Sequence, residues 1–128
     1  MLLSMINSDV KELDQIFASL ANKRRRQIVY TLGFQPASIG QLAKQQQSSL
    51  PAIHRHIKVL ERAKLVRRKK SGRVNFLALD RSGLLLMQDW VLQYQAYWGT
   101  QEETLENYIA SIERSGNKLT KLKKEKII

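Results

Sequence analysis

The sequence predicts a mainly α (α+β) chain: helices, then a two-stranded β-hairpin, then a long terminal helical segment. Three observations carry that prediction. Apolar residues in the N-terminal half recur at i, i+3, i+4 and i+7, the spacing of an amphipathic helix. Two strand-like runs, one opening at Leu65-Val66 and one from Arg73 to Leu79, enclose four consecutive bases, Arg67 to Lys70, and the turn signal Ser71-Gly72. From Leu84 to Ile112 the apolar positions again keep helical spacing.

Taken in order, Asp9 to Leu20 carries the stripe Val10, Leu13, Ile16, Phe17 and Leu20. Asn22 can cap a second helix in which Ile28, Val29 and Leu32 face inward. Lys23, Arg24, Arg25 and Arg26 crowd its first turn, where cations oppose the helix dipole. A nearby phosphate backbone would relieve that cost; a solvated turn with one arginine paired inside the fold is an equal reading. Gly33-Phe34-Gln35-Pro36 ends the helix. Ser38 then caps a short helix, Ile39 to about Gln45, whose Ile39, Leu42 and Ala43 are apolar, and Gln45 to Ser48 make a turn.

The next helix organises the chain. Ser49 is a good N-cap, and Pro51 is tolerated in the first turn because its missing amide has no partner to lose. Ile53, Ile57 and Leu60 face a core, while Leu50, His54, Lys58 and Arg62, with Arg55 beside them, form an opposite and basic side. A support helix, a turn, a helix with one basic face and a hairpin with cations at its tip make the layout of a winged helix-turn-helix. Domains are therefore expected at 1–79 (DNA-binding domain with a two-stranded wing), 80–116 (a long C-terminal dimerisation helix) and 117–128 (a basic tail). In such folds the second helix enters the major groove with its N-terminal residues nearest the bases. That places Ser49, Leu50, Pro51, His54, Arg55 and Lys58 nearest to DNA, with Lys58, together with Arg67, Arg68, Lys69, Lys70 and Arg73 of the wing, as backbone holders.

The terminal segment is apolar on more than one side. Leu84, Met87, Val91, Tyr94 and Trp98 form one row, and Leu85, Leu86, Trp90, Leu92 and Tyr97 a second. A helix packed on a small domain needs one stripe, so the surplus is expected to meet the same helix of a second subunit, with Leu84, Met87, Trp90, Val91, Tyr94 and Trp98 at the interface. Gly99-Thr100 kinks or divides this segment, and Gly116 ends it.

From about Leu13 to Leu79 the chain resembles the ArsR-type winged-helix transcriptional regulators. The resemblance rests on Leu42-Ala43, then Ser49-Leu50-Pro51-Ala52-Ile53-His54-Arg55-His56-Ile57-Lys58-Val59-Leu60, then Leu65-Val66 before the wing. It implies double-stranded DNA as partner and dimerisation through terminal helices. Leu50 stands where that family usually has a polar residue, His54 where serine is common, and Lys64 where glycine is usual. Residues 22–26 depart from the family's usual Asp-Pro-Thr-Arg-Arg.

Composition bounds the remaining classes. Net charge is +11, and residues 51–75 hold nine cations against the single acid Glu61, so the excess is localised on the reading helix and hairpin. The chain has no cysteine, which removes disulfides and thiolate metal sites. Its two histidines, His54 and His56, lie two apart on a helix and cannot close on one ion, so no metal site and no cofactor are expected. No nucleophile motif, phosphate-cradling glycine loop or acid–histidine set points to an enzyme. The apolar start is too short for a membrane span, and a cytoplasmic location is expected. The sequence thus predicts a homodimeric repressor reading an inverted repeat, its inducer unknown. The alternatives are an architectural nucleic-acid binder or a protein-interaction module.

Overall fold

The computed structural model describes residues 2–94 and 100–116. Its elements run α1 (Leu2–Leu20), α2 (Lys23–Phe34), β1 (Ala37–Ser38), α3 (Ile39–Gln45), α4 (Leu50–Arg62), β2 (Val66–Ser71), β3 (Val74–Leu79), α5 (Arg81–Leu92) and α6 (Gln101–Arg114). They divide into two compact units, one running through Trp90 and one from Val91.

The caps form where the sequence offers them. Asn22 accepts from the amide of Arg25 at 3.1 Å, and Ser49 from that of Ala52 at 3.3 Å. Ser38 and Gln41 make a reciprocal capping box. Both ends of the helix-turn-helix close in the left-handed region, at Gln47 (φ 52°) and Lys64 (φ 56°). In each case the following amide reaches five residues back, Ser48 to the carbonyl of Ala43 and Leu65 to that of Leu60, both at 3.0 Å. The turn after α3 and the corner after α4 are thus the same device, built at Lys64 with a residue that carries a steric cost there.

The core of the first unit is gathered around α4. Ile53, Ile57 and Leu60 are wholly buried, joined by Ile16 of α1, Ile28 and Leu32 of α2, Leu42 of α3, Leu65 of the corner after α4, and Val66 and Leu77 of the sheet. Strand β3 is central, paired antiparallel to β2 from Val66↔Leu79 to Ser71↔Val74 and to β1 through Ala37↔Leu77 and Ser38↔Phe76. The expected hairpin therefore has a third, two-residue strand, and its turn is Gly72-Arg73 with Gly72 at φ 61°.

One boundary differs from the sequence reading, and one of its open alternatives is resolved. α1 begins at Leu2 rather than near Asp9, since Leu2 to Ser8 contains no helix breaker. The terminal helix is two helices: Thr100 caps α6, accepting from Glu103, whose carboxylate accepts from the Thr100 amide. The 117–128 tail lies outside the described residues.

α5 is fixed to the corner that follows α4. The Gly83 amide donates to the Lys64 carbonyl at 2.8 Å and that of Asp80 to Leu65 at 2.9 Å. Gly83 is buried so closely that a Cβ there would lie 2.7 Å from the carbonyl oxygens of both Ala63 and Lys64. Leu84, Leu86 and Met87 pack against the core.

Candidate nucleic-acid interface

With its apolar side immobilised, α4 turns Leu50, Pro51, Arg55, Lys58 and Arg62 to solvent, and leaves His54 half-buried. Ser49, the cap, is exposed at its start. Leu50 is 52% exposed. Beside this end lies the start of β3, next to the hairpin turn. Leu50, His54, Arg73, Val74, Asn75 and the start of α3 bound an open cleft of about 340 Å³. The structure thereby brings Leu50 and His54 together with Arg73, and adds Asn75, which nothing in the sequence marked; Ser49, Pro51, Arg55 and Lys58 do not line this cleft.

The five wing cations do not behave alike. Lys69, Lys70 and Arg73 are exposed near the hairpin tip. Arg68 is turned inward, its Nη2 donating to Glu61 Oε1 at 2.7 Å with both side chains mostly covered. It ties the wing to α4 and has less reach toward a phosphate than its neighbours. Glu61 is thus taken by Arg68 and not by Arg55, which is exposed. Arg67 sits at the wing's base, near enough to Asp80 to help lower its pKa.

The cations of residues 23–26 are mostly explained by other helices. Arg25 Nε donates to the Ser19 carbonyl at 2.6 Å and Nη2 to that of Ala18 at 3.3 Å. Arg26 Nη1 donates to Leu20 at 2.8 Å. Arg24 Nη1 donates to the carbonyl of Gln46 at 3.2 Å, and Gln46 Nε2 returns a bond to the Arg24 carbonyl at 2.9 Å. These guanidinium groups satisfy the free carbonyls ending α1 and α3, where a dipole welcomes positive charge. The unfavourable placement at the start of α2 is offset at the ends of its neighbours.

His56 sits behind α4, its Nδ1 3.4 Å from Arg25 Nη1. A guanidinium only donates, so Nδ1 accepts and the neutral ring carries its proton on Nε2. Burial lowers its pKa from 6.5, and the charges of Arg25, Arg24 and Arg55 add to the effect. Among the described residues no group of three or more histidine and acidic side chains could hold a metal ion. None of their helices is long and apolar enough to cross a membrane.

A pinned helix with a basic outer face, standing on a support helix beside a cationic hairpin, defines a DNA-binding winged helix-turn-helix protein. The model for the bacterial regulatory proteins of the arsR family matches residues 22–68. The HTH-type transcriptional regulator Rv2034 of Mycobacterium tuberculosis is 35% identical over 81 residues, 63% of this chain and 76% of that one. The crystal structure of the ArsR family transcriptional regulator RHA00566 superposes with a TM-score of 0.63 at 32% identity, over 69% of this chain and 91% of that one. The homodimeric winged helix-turn-helix DNA-binding domain of Mb0332 from Mycobacterium bovis has the same fold (TM-score 0.56, 19% identity, 66% and 80% covered). The chain belongs to the ArsR family: it is a DNA-binding transcriptional regulator and not an enzyme.

Proposed function

We propose that this regulator is a cytoplasmic, homodimeric, sequence-specific repressor whose two α4 helices read the halves of an inverted-repeat operator. The observation that carries this reading is α4 itself: Ile53, Ile57 and Leu60 wholly buried, with Leu50, Arg55 and Lys58 projecting from the opposite side. A helix held that firmly offers its outer side chains in fixed register, as base reading requires. Arg55 is the best reader, because its fork matches the two acceptors of guanine; Leu50 suits a thymine methyl. Lys69, Lys70 and Arg73 hold the backbone, with Arg67 as a more distant contributor and Arg68 mainly bracing the wing. Bound across a promoter, such a dimer would exclude polymerase.

The dimer rests on apolar surface that stays exposed in one copy. Leu84 and Met87 are partly spent on the copy's own core, so the seam falls to what stays exposed on α5: Leu85 on its outer side, and Trp90 and Val91 near its C-terminal end. Tyr94 is exposed just beyond α5, and Trp98 lies outside the described residues. Phe17 of α1, 40% exposed, packs edge to face on Trp90 with ring centroids 5.1 Å apart, which extends the seam onto α1. The Mycobacterium bovis domain that shares this fold is itself homodimeric.

Selection of bound duplexes from a random pool tests the proposal. A two-fold symmetric consensus, with half-sites about 10 bp apart, is the expected outcome. No consensus would replace the repressor with a non-specific binder of nucleic acid.

A further inference from the structure

α2 carries an aromatic face that neither the core nor the DNA surface uses. Tyr30 and Phe34 are 70% and 73% exposed and stack edge to face with centroids 5.0 Å apart. Lys23, Gln27, Tyr30 and Phe34 follow one another at i, i+4, i+7 and i+11, so they share one side of the helix, with Arg26 at its margin. Cations sit at one end of this face and aromatics at the other. Lys23 also occupies the positive end of the α2 dipole, where an acidic partner would relieve it.

α6 has the matching pattern with the opposite charge. Leu105, Tyr108 and Ile109 are 64%, 52% and 45% exposed, and with Ile112 they make an i, i+3, i+4, i+7 stripe. Glu102, Glu106 and Glu113 run along one flank of it. A helix of 14 residues is marginal alone in water, so this stripe requires cover. A second α6 covers it poorly. Antiparallel two-fold pairing sets one acidic row against the other, and parallel two-fold pairing sets each row against the flank of Thr104 and Ser111, which offers no cation.

We propose that α6 of one copy docks on the Tyr30–Phe34 face of α2 in a second copy. The helices lie parallel, so that Glu102 and Glu106 meet Lys23 and Arg26 while Ile109 and Ile112 cover the aromatic pair. The contact rests on the homodimer reading only in needing a second copy; it is separate from the α5 seam and from the DNA surface.

The absence of cysteine makes the test direct. Full chains carrying Tyr30→Cys and Ile109→Cys, co-expressed with different tags and mildly oxidised, should form a disulfide-linked dimer containing one of each. Its yield should exceed that of either variant linked to itself. Adding Glu106→Lys to the Ile109→Cys chain should lower the yield about threefold, the scale of an exposed ion pair. Lys23→Glu on the Tyr30→Cys chain should then restore it. Absence of the mixed product in a chain that still sediments as a dimer overturns the docking and leaves the homodimer standing. Self-linked Ile109→Cys as the main product would assign α6 to its own counterpart. An internal disulfide in the Tyr30→Cys/Ile109→Cys double variant would keep it within one chain. Either result also overturns the proposal.

Discussion

Arg55 and Lys69 are both exposed cations, yet they should respond differently to truncation. Arg55→Ala should cost about 1–3 kcal/mol on the selected site and much less on random DNA, and His54→Ala should follow it in the same direction. Lys69→Ala and Lys70→Ala should weaken both duplexes alike and reduce the salt slope. Equal losses from all four, measured by titration on the two duplexes, would erase the division between readers and holders. A pH effect belongs to His56. Its folded pKa lies below 6.5, so its contribution to stability is complete above that value and is lost as pH falls through the depressed folded pKa. Asp80, which accepts from the Ser82 amide at 2.9 Å, has its pKa lowered from 3.8, chiefly by that bond. It adds a second loss at more acid pH. Thermal melts of His56→Gln should therefore show a weaker decline between pH 7 and pH 5. Lys64→Gly should raise the melting temperature: leaving the left-handed region to glycine recovers about 1 kcal/mol, more than the exposed Lys64–Glu12 pair at 3.4 Å supplies. The Lys64 position could be read in advance, because the departure from glycine at a helix end is a local feature. The inward turn of Arg68 could not, since it depends on Glu61 seven residues away arriving across the helix–strand corner.

At the scale of elements, the contact between α5 and the corner after α4 is the joint that matters most. Gly83 admits no side chain against the carbonyls of Ala63 and Lys64, so Gly83→Ala must push α5 away or strain the corner. A loss of about 1–3 kcal/mol in denaturant unfolding is expected, with weaker DNA binding because the same corner ends α4. Unchanged stability would mean that α5 is not seated there. Most elements were legible, because capping residues and apolar spacing are local: Asn22, Ser38 and Ser49 each start the helix the sequence assigns to them. Thr100 was legible as a break, but its capping box with Glu103 decides that α6 is a separate helix. β1 was not legible, because two residues such as Ala37-Ser38 become a strand only when β3 lies alongside. The cations of α2 were open to two readings for a related reason: the carbonyls of Ala18, Ser19, Leu20 and Gln46 that receive three of them are brought near only by the fold.

For the whole molecule, the account joins one basic surface to a two-fold partner. Val91→Asp places a charge on the exposed C-terminal end of α5 and should shift the sedimenting species from dimer to monomer, with operator affinity falling while random-DNA affinity changes less. A variant that stays dimeric would move the seam elsewhere. The localisation of charge was plain from the sequence; which apolar residues remain for a partner was not, because Leu84 and Met87 belong to the core only once α5 is seated. The central claim, sequence-specific reading by α4, is tested most directly by affinity for the selected duplex and for its scrambled counterpart over a range of salt. A preference of ~10³-fold or more for the selected duplex, persisting as salt rises, is the predicted result. Equal affinities falling along one steep salt line would contradict it, because the binding would then be to phosphates alone.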